Sequence, residues 1–256
     1  MRNKTQKLNQ TKRQHYVPKM LLKNFSVNEK LIDVFVLKKM KWFPSIGIKE
    51  QCYEDYYYGT NGSIEKDFGD LEGATVQVFS KIFKGIFNEI SEEEWVTLRL
   101  FVNFQAHRTL GAANEFALQA GALNKKIIKE IAKVKFPNSE INEEDYNLTY
   151  DAPQMHMLQT ALSSIPLMLD LDIKFLFNDK NVNFIIGDHP VILHNQFAEN
   201  LPSFSRVRSI TGLISKGLQI FLPISPLVCI ASTKRSLCAG LARAKTSTIL
   251  TASASC

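Results

Sequence analysis

The alternation of apolar and polar positions marks out the elements of this chain. Leu31-Ile32-Asp33-Val34-Phe35-Val36-Leu37 and the stretch around Lys41-Trp42-Phe43 are rich in β-branched and aromatic residues. Bounded by Asn28-Glu29-Lys30 and by Pro44, they predict a strand pair. Upstream, Pro18 precedes apolar residues at 20, 21, 22 and 25, the spacing of a short helix with proline near its first turn. Beyond the tyrosine cluster Tyr53, Tyr56, Tyr57, Tyr58 and the turn Gly59-Thr60-Asn61-Gly62, Ser63 is a candidate cap for a helix over 64–87. Phe68, Leu71, Thr75, Phe79, Ile82 and Ile86 form its apolar stripe. Ser91 with Glu94 three residues on is a capping box, opening a helix through Trp95, Leu98, Phe101, Val102 and Gln105 to Arg108. Apolar on most of its circumference, that helix belongs at the centre.

Two further helices are expected over 112–135 and 154–170, separated by a polar, acidic connection, with Pro166 expected to kink or break the second. Ile173–Phe177 and Val182–Ile186 flank Asn178-Asp179-Lys180-Asn181 and predict a hairpin whose second strand ends in Gly187-Asp188-His189-Pro190, ahead of the apolar triplet Val191-Ile192-Leu193. Leu218–Pro223 and Leu227–Ala231 read as two more strands joined through Ile224-Ser225-Pro226. Runs of helices and runs of strands without regular alternation predict an α+β fold, with central helices packed on a small, mostly antiparallel sheet. The expected organisation is a basic arm over 1–13, one domain over 14–235 and a tail of small residues over 236–256.

Composition changes this picture little: 256 residues, 45% hydrophobic and 22% charged, exclude wholesale disorder and fibrous classes. No stretch has the 18 or so apolar residues of a spanning helix, and Cys52, Cys229, Cys238 and Cys256 contain no C-x-x-C pair. The expectation is a cytoplasmic chain with free thiols and no membrane partner; the oligomeric state is left open. Charge is segregated: residues 1–13 carry +5, residues 14–199 carry −6 and residues 200–256 carry +7. Basic ends around an acidic middle point to a nucleic acid or nucleotide partner, or to ends that dock on the chain's own acidic middle.

Candidate chemistry centres on Asp188, a carboxylate at a strand end held between Gly187 and Pro190, where it can face a cleft or simply close an Asx turn. His189 beside it is a candidate for substrate contact, and His194 adds a further imidazole nearby. His15, next to Tyr16 and ahead of Pro18, is a candidate general base, because its ordinary pKa is about 6.5. Arg108 lies on the apolar side of its helix and must find a partner, since an isolated buried charge is costly. That partner is Glu65 or Glu72 in an ion pair, or the phosphate or carboxylate of a ligand. Nucleophile elbows, phosphate-binding glycine loops, H-E-x-x-H and EF-hand loops do not occur in the sequence. An oxygen-rich Mg²⁺ or Mn²⁺ site built from Asp188 with Glu65 or Glu72 needs no fixed spacing and stays open.

Taken together, Gln14-His15-Tyr16-Val17-Pro18 with Leu22-Lys23-Asn24-Phe25, Phe104-Gln105-x-x-Arg108-Thr109, Gly187-Asp188-His189-Pro190 and Leu222-Pro223-Ile224-Ser225-Pro226 resemble a bacterial family, domain of unknown function 4238. The resemblance spans about residues 13 to 230 and ends after Ser232. It departs from the family at Gly187, where Ser or Thr is usual, and at His189, where Asn is common. It implies that His15, Arg108 and Asp188 form one recurrent constellation, to which Tyr16, Gln105 and His189 add substrate contacts. The function expected is a metal-assisted phosphodiesterase or nuclease-like enzyme. In it Asp188 and Glu72 hold Mg²⁺, His15 activates water or protonates the leaving group, and Arg108 neutralises a phosphate oxygen. The alternative is a non-catalytic binding or interaction module in which His15, Arg108 and Asp188 form a structural polar network.

Overall fold

The structure, a computed structural model, describes residues 11–136, 146–198 and 212–234. The basic arm up to residue 10, most of the acidic connection and the small-residue tail, on which three of the readings above fall, lie outside the described residues. The fold is α+β. Five helices, α1 (Lys19–Lys23), α2 (Ser63–Phe83), α3 (Glu92–His107), α4 (Leu110–Lys135) and α5 (Pro153–Leu169), accompany three small antiparallel sheets. Two sheets are ribbons: β1 (Arg13–His15) with β4 (Tyr53–Asp55), and β2 (Leu31–Val36) with β3 (Lys41–Gly47). The third has the order β5 (Leu171–Phe177), β8 (Val228–Lys234), β7 (Leu218–Ser225), β6 (Ile192–Asn195).

As its all-round apolar pattern requires, α3 is central, packed against α2 on one side and α5 on the other, with α4 against α5. Ring pairs Phe68–Phe104 and Phe79–Phe101, each at 5.7 Å, zip α2 to α3 edge to face. The sheet meets the helices through Phe175, stacked on Trp95 at 5.7 Å and Phe87 at 5.6 Å. Polar residues on α3 are used for docking: Arg99 Nε donates to the Leu171 carbonyl and Asn103 Nδ2 to the Ala161 carbonyl, while Ser164 Oγ donates to Asn103 Oδ1. At the other end, Asn24 Nδ2 donates to the Ile224 carbonyl at 2.9 Å and ties α1 to the sheet.

Five expectations are corrected. The segment 182–186 is not a strand, and β5 pairs with β8 instead. Asn178 N–H bonds the Leu227 carbonyl and Phe184 N–H the Pro226 carbonyl, so the chain crosses the β7–β8 turn rather than folding back on β5. Helix α2 stops at Phe83, because Gly85 takes a left-handed φ of +73° and its N–H closes onto the Ile82 carbonyl. Ser63 is the first helical residue rather than the cap, and its N–H and hydroxyl both donate to Asn61 Oδ1. Pro166 neither ends nor interrupts α5. It lies exposed in the last two turns, where the Leu162 carbonyl it frees is on the solvent side. Strand β3 runs through Pro44 to Gly47, with Ser45 at positive φ and a register shift opposite Asp33 absorbing the break.

Candidate functional site

Three sequence-distant segments meet at the junction of α3 and α4. Strand β1 pairs with β4 in the register Gln14↔Glu54 and His15↔Tyr53, and Tyr16 N–H continues the ladder to the Cys52 carbonyl at 2.9 Å. Alternation along β1 sends Gln14 and Tyr16 to one face and His15 to the other. Gln14 Nε2 donates to the Gly59 carbonyl and Gln14 Oε1 accepts from Tyr58 N–H, so the tyrosine turn is clamped on this strand.

The last turn of α3 supplies the centre. Gln105, fully buried, donates through Nε2 to the Tyr16 carbonyl at 3.0 Å and accepts at Oε1 from Arg108 Nε at 2.9 Å. Arg108 is the C-cap of α3 and only 2% exposed. Its Nη1 donates to Glu72 Oε1 at 2.9 Å and its guanidinium carbon lies 4.6 Å from the centre of the Phe68 ring. Nη2 is buried with no partner among the described residues. Of the two glutamates open as partners for Arg108, the structure selects Glu72, half-buried on α2. Glu65, one helical stretch earlier, has its carboxyl pKa raised, first by burial and then by the nearby Glu72 charge, with Arg108 and Lys19 acting the other way.

The third segment brings Asp188 and His189. Both are exposed. Asp188 is felt by the Tyr16 phenol and the Cys52 thiol; burial is the main force pushing both pKa values up, the thiol to about 12, and the Asp188 charge adds to it. His189 Nδ1 is hydrogen-bonded to Thr109 Oγ1, the same oxygen that caps α4 by accepting from Ala112 N–H at 3.2 Å. The imidazole lies alongside Gly111 in the first turn of α4, where a Cβ would make ordinary van der Waals contact with His189 Cβ at 3.6 Å.

The constellation is therefore assembled in part. Tyr16, Gln105, Arg108 and Glu72 form one continuous chain of hydrogen bonds, and Asp188 and His189 stand at its edge. The His15 ring is on the other face of β1, 5.6 Å from Tyr53 and near Lys19 and the main chain of Lys49 and Arg13; no contact joins it to Arg108 or Asp188 among the described residues. Burial pulls its pKa down to about 4, so it is neutral at pH 7. Of the three carboxylates expected around Mg²⁺ or Mn²⁺, Glu72 is committed to Arg108 with the Glu65 charge near it, and the Asp188 charge is felt at Tyr16 and Cys52. Among the described residues no group of three or more His, Cys, Asp or Glu side chains has metal-binding geometry.

Two residues of this junction were given no role from the sequence. Thr109, the second half of the Arg-Thr pair, is fully buried and couples α4 to His189. His107, one residue before Arg108, bonds through Nδ1 to the Asn103 carbonyl and lines, with His189, Asn103, Phe116, Ser164 and Ile220, a cavity of about 510 Å³ between α3, α4, α5 and the sheet. Burial lowers the His107 pKa, and His189 lowers it further.

Fold and site together define an α+β protein whose N-terminal strand, central helix pair and pre-sheet loop converge on one polar junction. The profile of a family described as "Protein of unknown function (DUF4238)" matches residues 13–245, and the chain belongs to that family. The match continues beyond Ser232, where the sequence motifs alone had placed its end. No curated protein and no solved structure matches the chain. Among the described residues no helix is long and apolar enough to cross a membrane.

Proposed function

We propose that this chain is a binding or interaction module in which the Arg108 network is a structural lock. The observation that carries this reading is the state of Arg108, 2% exposed and already engaged with Gln105, Glu72 and the Phe68 ring. A catalytic arginine has to reach a substrate oxygen, whereas Arg108 is buried with Nε and Nη1 spent inside the protein, and Nη2 alone has no partner among the described residues. Through Gln105 this cation fixes the Tyr16 main chain and so seats the N-terminal segment on α2 and α3. The phosphodiesterase or nuclease-like reading draws on a different observation, the exposure of Asp188 and His189 beside Tyr16, and the same experiment decides between the two.

That experiment is incubation of the full chain with labelled single- and double-stranded DNA and RNA in Mg²⁺ or Mn²⁺, alongside Asp188→Ala and His15→Ala. The binding reading expects no cleavage by the wild type and loss of thermal stability in Arg108→Ala. Wild-type cleavage that disappears in a folded Asp188→Ala protein overturns it in favour of the hydrolase.

A further inference from the structure

The β2–β3 ribbon carries a surface that the Arg108 junction does not use. Phe35 and Trp42 are cross-strand partners on its outer face, their rings 6.5 Å apart, and they remain 44% and 55% exposed. Two such aromatic rings left in water, next to the exposed Leu37 and Met40 at the tip, are unusual for a solvent-facing hairpin. Lysines surround them. Lys38 and Lys39 sit at the tip end and Lys30 and Lys49 at the base, and Lys41 alternates to the ribbon's other face with its ammonium 5.1 Å from the centre of the Phe43 ring; all five are exposed. Among the described residues none of the five has a carboxylate partner. The acids close by are engaged: Glu29 with Lys23 at 3.1 Å, Glu50 with Arg13 at 2.6 Å, and Asp33 as acceptor for Ser45 N–H at 2.9 Å.

We propose that the β2–β3 ribbon is a docking surface for single-stranded nucleic acid, with Phe35 and Trp42 as the stacking platform and Lys30, Lys38, Lys39 and Lys49 as phosphate contacts. Unpaired cations set around open aromatic faces are what a single strand requires: phosphates follow the charge, and unstacked bases lie on the rings with little regard to sequence. The distribution of charge along the ribbon selects a linear polyanion over a flat anionic one. Six residues of extended strand separate base from tip by roughly 20 Å. A bilayer touched by the tip would leave Lys30 and Lys49 unused, while a strand laid along the ribbon meets both groups. The proposal deepens the binding-module reading by naming a partner and a surface, and as a function it rests on that reading.

Trp42 makes the test direct, because the chain has two tryptophans and the other, Trp95, is 4% exposed in the core. The full chain is titrated with a fluorescein-labelled oligothymidylate of twenty nucleotides in EDTA, which removes metal-dependent cleavage, at several salt concentrations. Binding is read by anisotropy of the label and, with unlabelled oligonucleotide, by Trp fluorescence. Expected are quenching of Trp42 and at least about tenfold weaker binding for K38E/K39E, with a salt slope shallower by about 1.4, the share of two phosphate contacts. W42A weakens binding about tenfold, by the loss of one stacked base. A control with equal charge change on α4, K126E/K135E, stays within about twofold of wild type on the same single-strand scale. The proposal is overturned if the wild type does not bind, if the α4 variant loses as much affinity as the ribbon variant, or if Trp42 shifts to the blue on phosphatidylserine vesicles and the oligonucleotide fails to compete. Cleavage in the Mg²⁺ assay would overturn the binding-module reading alone, since the EDTA titration reports the ribbon independently of it.

Discussion

The side-chain amide of Gln105 donates to the main-chain carbonyl of Tyr16 at 3.0 Å, across 89 positions of sequence, and its oxygen accepts from Arg108 Nε. One buried amide thus joins the N-terminal strand to the cation at the end of the central helix. Because all the groups involved are out of water, each unmade bond would be felt in the stability of the fold.

Gln105→Leu is expected to lower unfolding free energy by about 2–6 kcal/mol, since it strands both the Tyr16 carbonyl and the Arg108 Nε–H, at about 1–3 kcal/mol for each buried unpaired group. Arg108→Met removes the cation and leaves Glu72 alone. That side chain keeps 26% exposure and can rehydrate, so the loss is expected near the lower end, about 2–3 kcal/mol. Urea denaturation of the two variants and the wild type measures both.

Acid should weaken the fold through His15. The buried ring is neutral when folded, with its pKa lowered to about 4, and titrates near 6.5 when unfolded. Between those values the unfolded chain binds the extra proton, so stability falls as pH drops from about 6.5 toward 4 and is fully present above 6.5. The contribution is at most on the order of 3 kcal/mol. His15→Gln should flatten this slope in urea midpoints taken between pH 4 and 7; an unchanged slope would place the acid sensitivity elsewhere.

Thr109 serves two partners with one oxygen, the Ala112 N–H and the His189 ring. Thr109→Val should cost about 1 kcal/mol from the lost cap, and it should speed amide exchange in the first turn of α4. Thr109→Ser, which keeps the hydroxyl, is expected to retain most of both in the same exchange experiment.

Burial pushes the thiols of Cys52 and Cys229 up to about 12, with the Asp188 charge reinforcing the shift at Cys52. Neither should react appreciably with iodoacetamide in the native protein at pH 8, because the thiolate is the nucleophile. Peptide mass mapping should show both labelled in urea. Native labelling at Cys52 would contradict the packing around Tyr16.

Much of the framework was legible along the chain because its signals are local. The Ser91–Glu94 box is present with both of its hydrogen bonds, and the apolar circumference of Trp95 to Val102 put α3 at the centre. Pro18 stands as the cap of α1, and the burial of Arg108 against a glutamate follows from its place on an apolar face. The hairpin after β5 failed because a distant segment competes with a local one. Val182–Ile186 has the composition of a strand, yet Val182 and Ile185 are 80% and 84% exposed, because the main chain is drawn across the β7–β8 turn through Asn178 N–H to the Leu227 carbonyl and Phe184 N–H to the Pro226 carbonyl. Strands β1 and β4 are three residues each, too short for a period, and exist because the main chain of each satisfies the other.

The sequence by itself determined which residues carry polar chemistry and which helices bury them, since periodicity, caps and the cost of an unpaired charge act over a few residues. Tertiary structure alone decided their partners. It gave Arg108 to Glu72 and Gln105, turned His15 to the face of β1 away from both Arg108 and Asp188, and placed Asp188 next to Tyr16 and Cys52. It also left the aromatic pair of the β2–β3 ribbon uncovered. The reason is that strand alternation and helix phase fix a side chain's direction, but only the packing of whole elements decides what lies in that direction.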